Sequence, residues 1–280
     1  MLSRVLATAT RTRALRAGPN HLIPRYFSGT ALRSEAAAEA KNANVTLKRF
    51  WKDADLQEQS HAYHITLDKR PLKTPGGNVL EIPKTKRLLA TMIAYEWDNQ
   101  EKLIKPHALP LTSLAARAID DMQSEKTRAE VREALLKYLD TDSICFHEEE
   151  PLGLVQLQAQ HWQPLLDWAR AEFDAEIRVF TGLFGSSHPP ETHKKFAEVL
   201  SRLDPWQLTA LERAVYSSKS LIIALALVLG RLNPEQAAQA AHVEVSSQVQ
   251  RWGEVEDSHD VDFQDIRRQL GSVACLLTDV

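Results

Sequence analysis

Hydrophobic positions change period twice along the chain. Tyr63, Ile65 and Leu67 alternate with His64 and Thr66, the period of a strand with one buried face. Lys73-Thr74-Pro75-Gly76-Gly77-Asn78 has the composition of a turn, and Val79 to Ile82 is a second short strand. From Lys84 to Gln100 the period becomes helical: Leu88, Leu89, Met92, Ile93, Glu96 and Trp97 recur at steps of three and four. A short extended stretch at Leu103 and Ile104 then leads to Pro106 and Pro110.

Beyond Leu111 the pattern is helical almost throughout. Val131, Leu135 and Leu139 form one apolar stripe, and Trp162, Leu165, Leu166, Ala169 and Phe173 form another. A helix near residues 191–203 follows the Pro189-Pro190 break, and Leu208 to Leu229 reads as two consecutive buried helices. Asn233-Pro234-Glu235-Gln236 is a helix start, with a capping residue, proline at the first helical position and Gln at the capping-box position. That helix is predicted to run to about Arg251 and stop at Gly253. A last helix carries Ile266, Leu270, Val273 and Leu277. The fold class predicted is α+β. A small N-terminal α+β domain with a short twisted sheet, residues 46–125, precedes a larger all-helical domain, residues 126–280.

Charge changes the reading of the N-terminus. Arg4, Arg11, Arg13, Arg16, Arg25 and Arg33 lie in the first 34 residues, which hold no lysine and no acid. Leu2, Val5, Leu6 and Ala9 fall on one side of a helix, with Arg4 and Arg11 on the other. An Arg-rich, acid-free amphipathic start is the mark of a mitochondrial transit peptide, here residues 1–27, with cleavage expected after Phe27. The small, polar, Ala-rich residues 28–45 read as a flexible linker. The predicted compartment is the mitochondrial matrix.

The whole chain has a formal charge of −3, but the six N-terminal arginines conceal an acidic body of 28 basic and 37 acidic residues. Such a balance argues against nucleic acid as a partner, because that needs a basic footprint. At 44% hydrophobic and 25% charged residues, the composition is that of a globular protein. The longest apolar run, Leu221 to Leu229, is too short to span a bilayer and reads as a buried helix. Cys145 and Cys275 match no metal-ligand spacing and are expected to be small buried apolar residues.

Catalytic signatures are sparse. Gly76 and Gly77 lack the Gly-Lys-Ser/Thr of a phosphate loop, and no Gly-x-Ser-x-Gly elbow occurs. His147 beside Glu148-Glu149-Glu150 is most simply a solvated loop. Asp257, His259, Asp260 and Asp262 resemble a ligand cluster but lack a calcium hand's glycine-centred loop and terminal Glu. Acids at that place serve more simply as caps of the following helix. In the helix after Asn233, Ala238, Ala241, Val245 and Val249 line one side, and Glu244, Ser247, Gln248 and Arg251 another. That second side reads either as a solvated face or as a recognition surface whose carboxylates meet a basic partner while Trp252 anchors the junction.

Several short motifs in order carry a resemblance. They are Arg49-Phe50-Trp51-Lys52, Leu67 through Pro75, Glu96-Trp97-Asp98 and Pro110-Leu111-Thr112. Tyr138 with Thr141-Asp142, Ser217-Ser218-Lys219-Ser220, and Glu244 through Gln248 to Trp252-Gly253 follow, with Glu256, His259 and Asp260 last. From Arg49 onward the chain resembles the mitochondrial assembly chaperones for the α subunit of the ATP synthase catalytic head, as a fungal member would. The resemblance implies a two-domain fold with no enzymatic activity and no cofactor. It also implies a monomer when free that binds the unassembled α subunit and yields it to β subunits. An acid near the C-terminus that the family ties to function corresponds to Glu244, with Glu256 the second candidate. The partner-binding set is then Glu244, Gln248, Trp252 and Glu256. The competing function is a metal-dependent matrix hydrolase using Asp257, His259 and Asp262, and a third is a structural subunit of the synthase itself.

Overall fold

Strand β2, Ala62–Leu67, forms the centre of the sheet because both of its edges are occupied. On one side β1, Ala54–Glu58, runs antiparallel in the register Ala54↔Leu67 to Glu58↔Tyr63. The other edge is shared: β3, Arg70–Pro71, pairs with its end at Leu67↔Arg70, and β4, Glu81–Pro83, pairs with its start at Tyr63↔Ile82. The computed structural model describes residues 48–182 and 187–279, so the transit segment 1–27 and the linker 28–45 lie outside the described residues.

Tyr63, Ile65 and Leu67 are buried as the alternation predicts, but Thr66 is buried as well. Val79 makes only an isolated bridge to Lys73, and the second strand of the predicted hairpin starts at Glu81 rather than Val79. Strand β1 has no clear alternation, and the sequence pattern does not reveal it.

Asp68 and Lys69 form the tight turn between β2 and β3, both in the left-handed region at φ 48° and 67°. Such a turn matches strand twist. The Asp68 carboxylate accepts the backbone N–H groups of Lys52 and Asp53 at 2.9 and 3.1 Å, tying the entering chain to the turn. The Thr74–Asn78 turn is held from outside. Asp120 accepts from the Thr74 hydroxyl (2.6 Å), the Gly76 N–H (2.8 Å) and the Asn78 amide (2.8 Å). A Cβ on Gly76 would lie 2.6 Å from the Asp120 carboxyl carbon, so the close approach requires glycine.

Helix α1, Arg87–Asp98, packs across β1 and β2 through Leu89, Ala90, Ile93 and Ala94. The predicted apolar face is therefore rotated: Leu88 and Met92 stand exposed with Tyr95 on the opposite side. Arg49 clamps the chain to the end of α1, donating to the carbonyls of Trp51, Lys52, Asp98 and Gln100. Trp51 packs against Trp97 with ring centroids 5.0 Å apart.

Ten helices follow. Helix α2 is Pro110–Asp120 and α3 is Glu125–Leu136, with Ser124 accepting the Thr127 N–H at the start of α3. Helix α4, Leu152–Leu157, continues through a π turn, Gln158–Trp162, into α5, Gln163–Phe173. Then come α6, Pro190–Ser201, α7, Pro205–Ser218, α8, Leu221–Val228, and α9, Pro234–Ala241. Helices α10, Val243–Trp252, and α11, His259–Leu277, complete the chain. Both α7 and α9 open with a full capping box, Asp204 with Gln207 and Asn233 with Gln236.

Helix α8 is apolar all round and buried from Leu221 through Leu227, which is why it shows no polar face. Helices α7, α9 and α11 surround it, and α2 packs on α7 and α11. A buried helix start leaves backbone donors that water cannot reach. Ser220 accepts the Ile223 N–H at 3.0 Å, and the fully buried Asp142 accepts the Ile222 N–H at 3.0 Å. Burial pushes the Asp142 carboxyl up to about 6, against the pull of these donors.

Candidate partner-binding groove

The helix predicted to run unbroken from Asn233 to Arg251 is two helices. Helix α9 ends at Ala241, His242 has φ −99° and ψ 15°, and α10 starts afresh at Val243. The His242 ring lies in the joint, 3.1 Å from the Asp262 carboxylate on α11. Burial lowers its pKa, with Asp262 opposing and Arg267 adding to the shift. On the other side the Trp162 indole donates to the Ala240 carbonyl at 2.7 Å, pinning the end of α9 to the π turn.

The break changes the buried face. Ala238 is buried, but Ala241, Val245 and Val249 are only half-buried, and Val243 and Ser247 are the residues of α10 that turn inward. With those two fixed, Glu244, Gln248, Arg251 and Trp252 stand exposed. Helix α10 packs on α4, with Gln250 beside Gly153, where even a Cβ would make only an ordinary contact at 3.7 Å from the Gln250 amide oxygen.

The result is a groove of about 200 Å³ lined by Glu148, Pro151 and Leu154 from the α4 side and Glu244, Ser247, Gln248, Arg251 and Trp252 from α10. Trp252 is 70% exposed, with the Arg251 guanidinium 5.1 Å from its ring centroid. Leu152 and Val255, 71% and 58% exposed, extend the apolar surface on the adjoining segments. Among the described residues no cation lies within 4.0 Å of the Glu148 or Glu244 carboxylates. The groove therefore combines the apolar side chains of Pro151 and Leu154, an exposed indole with Arg251 on its face, and two uncommitted acids that outnumber that cation, a make-up suited to a basic and aliphatic segment of a partner.

Three of the four residues predicted for partner binding meet here: Glu244, Gln248 and Trp252. Glu256 does not line the groove; it stands exposed on the connection between α10 and α11, past the Gly253 stop. Sequence reasoning missed Glu148, Pro151 and Leu154, treating the run from His147 as a solvated loop. The three glutamates are exposed, but the His147 ring is half-buried 5.6 Å from Trp162 and its Nε2 meets the Ile144 carbonyl. Nothing local in the sequence marks these three residues, because they meet α10 only through the packing of α4 on it.

The metal-hydrolase cluster does not assemble. His259 Nδ1 accepts the Val255 N–H at 3.0 Å, Asp260 accepts the Val261 N–H at 2.8 Å, and Asp262 faces His242. Asp257 sits in the left-handed region at φ 61° on the turn before α11. Among the described residues no three His, Cys, Asp or Glu side chains gather into a metal-ligand group. Cys145 is buried, which raises its thiol pKa, while Cys275 is half-buried rather than buried.

An open groove with an exposed indole and unpaired acids is a surface of the kind that meets another protein. Residues 48–170 match the family model described as ATP12 chaperone protein. Over 239 residues the chain is 36% identical to the mitochondrial protein atp12 of Schizosaccharomyces pombe, covering 82% of each. It is 29% identical over 302 residues to the mitochondrial protein ATP12 of Saccharomyces cerevisiae, covering 90% of this chain and 93% of the relative. The crystal structure of Atp12 from Paracoccus denitrificans superposes with a TM-score of 0.69 at 32% identity, over 82% of this chain and 97% of that one. The chain belongs to the ATP12 chaperone family. It is a chaperone of ATP synthase assembly and works in the mitochondrial matrix.

Proposed function

We propose that this chaperone binds the free α subunit of the ATP synthase catalytic head, as a monomer and without catalysing a reaction. It covers surface that the α subunit later gives to β subunits. Exposed apolar surface of that kind aggregates when it is left uncovered. Release follows when β competes for the same surface, so the complex must be weaker than the assembled ring interface.

The observation that carries this reading is the groove beneath Trp252. Its Pro151 and Leu154 side chains and the Glu148 and Glu244 carboxylates suit a basic and aliphatic segment, and its exposed indole is the side chain most often found at binding hot spots. Glu256 stands exposed beyond the groove, on the connection to α11. Isolated α subunit diluted from denaturant should stay soluble at near-stoichiometric chaperone without added ATP. Unchanged aggregation at equimolar chaperone would overturn the reading.

A further inference from the structure

The π turn between α4 and α5 reaches both walls of the Trp252 groove. Within it the Gln163 N–H donates to the Gln158 carbonyl five residues back, and the side chains of Gln158 and Trp162 are both buried. Trp162 serves one wall: its indole donates to the Ala240 carbonyl at 2.7 Å, in the last turn of α9, just before α10 departs. Gln158 serves the other, at Glu148.

A buried amide needs partners, and the backbone of one residue supplies them here. Satisfying both ends sets the orientation of the Gln158 side chain. Its oxygen accepts the Glu148 N–H at 3.0 Å, and its NH2 group donates to the Glu148 carbonyl at 3.1 Å. Among the described residues, 148–150 make no backbone–backbone hydrogen bond of their own. The chain is anchored on either side of them: the His147 N–H donates to the Phe180 carbonyl at 2.9 Å, and the Pro151 carbonyl accepts from Leu154 and Val155. The His147 ring also lies 5.6 Å from that of Trp162, on the same π turn. Gln158 is thus the contact that fixes the chain where it passes the groove.

The Glu148 side chain itself is exposed and, among the described residues, makes no ion pair, so its place depends on its backbone. A segment that must be ordered when the partner binds costs roughly fivefold to thirtyfold in affinity for each residue fixed. We infer that Gln158 is a positioning residue for partner binding. It holds Glu148 in place at the groove, so that this carboxylate and that of Glu244 meet the partner together and without reordering. Filling the core does not require an amide at this position. A methionine occupies similar space, and water could serve the Glu148 backbone, which belongs to an exposed segment. The amide is what ties that segment to the π turn.

The part Gln158 plays in binding rests on the function proposed above; its grip on Glu148 does not. The test therefore has two arms, both using the mature full chain with Gln158→Met and Gln158→Leu. In the first, amide hydrogen exchange is followed without a partner. The Glu148 amide should be protected in the wild type and exchange about tenfold faster in both variants, while the amides of α5 keep their protection. In the second, Kd is measured for isolated α subunit. Each Gln158 variant should raise Kd about tenfold, with the deficit shrinking in high salt because it acts through a carboxylate. Glu148→Gln should raise Kd by a similar factor, and adding it to Gln158→Met should raise Kd little further, since one residue works through the other. Adding Glu244→Gln to Gln158→Met should instead multiply the two losses. Wild-type affinity in Gln158→Met would overturn the inference, as would Gln158 and Glu148 losses that multiply, or unchanged exchange at Glu148. A lowered thermal midpoint with the contributions of Glu148 and Glu244 lost alike would make Gln158 a purely structural residue. If the wild type binds no α subunit while Gln158 protects the Glu148 amide, the partner assignment falls and the positioning of Glu148 stands.

Discussion

The Glu96 carboxylate and Thr112 meet twice: one carboxylate oxygen accepts the Thr112 hydroxyl at 2.7 Å and the Thr112 N–H at 2.9 Å. The other oxygen accepts the Leu111 N–H at 2.7 Å, and the Trp97 indole donates to the same Thr112 hydroxyl at 3.0 Å. Leu109, the residue before α2, makes no side-chain cap, so Glu96 supplies the cap from another helix. Burial raises the Glu96 pKa while these three donors oppose the shift.

Replacing Glu96 by Ala leaves those donors unsatisfied. The expected loss is about 1–3 kcal/mol of unfolding free energy. Glu96→Gln should recover only part, because its NH2 group turns a donor toward donors. Urea unfolding followed by tryptophan fluorescence checks this; wild-type stability in Glu96→Ala would show that α2 needs no cap.

Much of the motif pattern that reveals the family builds scaffold. Arg49 clamps four carbonyls, Asp68 holds the chain entering the hairpin, and Glu96 with Thr112 joins α1 to α2. Asp142 and Ser220 together cap α8, and Lys219 takes the left-handed turn at φ 58° that ends α7. These residues were legible as motifs, yet their work was not, because each reaches a partner remote in sequence. Local signals read well: the Asn233 capping box, the all-apolar α8 and the Gly253 stop all stand as the pattern predicts. The joint at His242 was hidden because Ala241 and Val243 continue the apolar pattern, while the groove depends on α4 packing against α10, an element remote from it in sequence. Which face of α1 is buried was also hidden, since Leu88, Leu89, Met92 and Ile93 supply apolar residues to two adjacent faces.

Asp142 gives the protein a pH dependence of definite sign. Burial raises its folded pKa to about 6, above the ordinary 3.8 of an unfolded aspartate. The folded state therefore favours the protonated carboxyl, so the contribution of this group is greatest below pH 3.8 and declines as pH rises through about 6. Between pH 5 and 7.5 the decline is about 1–2 kcal/mol for a shift of this size. Asp142→Asn cannot titrate, so the stability of the wild type relative to Asp142→Asn should fall over that interval. A gap that widens in favour of the wild type as pH rises would show a folded carboxylate held below the usual range instead.

The basic, acid-free start makes a separate prediction. Deleting residues 1–27 should abolish import while leaving a folded protein, since the described fold begins at Lys48. Import of labelled precursor into isolated mitochondria, with circular dichroism of the purified deletion variant, tests both parts. Accumulation of the deletion variant in the matrix would refute the targeting assignment.

Glu244 separates binding from folding. It stands exposed on α10 with no intramolecular cation within 4.0 Å among the described residues, while the neighbouring Val243 and Ser247 carry the packing. Glu244→Lys should therefore change stability by no more than about 0.5 kcal/mol, the usual scale for an exposed position without a specific contact. At the groove its effect is different. The substitution places a cation beside Trp252, where the proposed function seats a basic segment of the α subunit, and would turn attraction into repulsion. The expected loss of binding is about 2–5 kcal/mol if the contact is fully desolvated in the complex, and less toward the rim. Glu235 is unsuitable as the comparison acid, because Arg267 grips it with two nitrogens at 2.8 Å and its replacement would break that pair. Glu172, exposed on α5 and away from the groove, is the better control, and Glu172→Lys should bind as the wild type does. Trp252→Ala should weaken binding by removing the indole anchor, and should not unfold the protein because that side chain is 70% exposed. Isothermal titration against isolated α subunit, paired with thermal unfolding of each variant, measures both quantities. Wild-type affinity in Glu244→Lys would remove this acid from the interface, and lost binding accompanied by a lowered thermal midpoint would make it a structural residue.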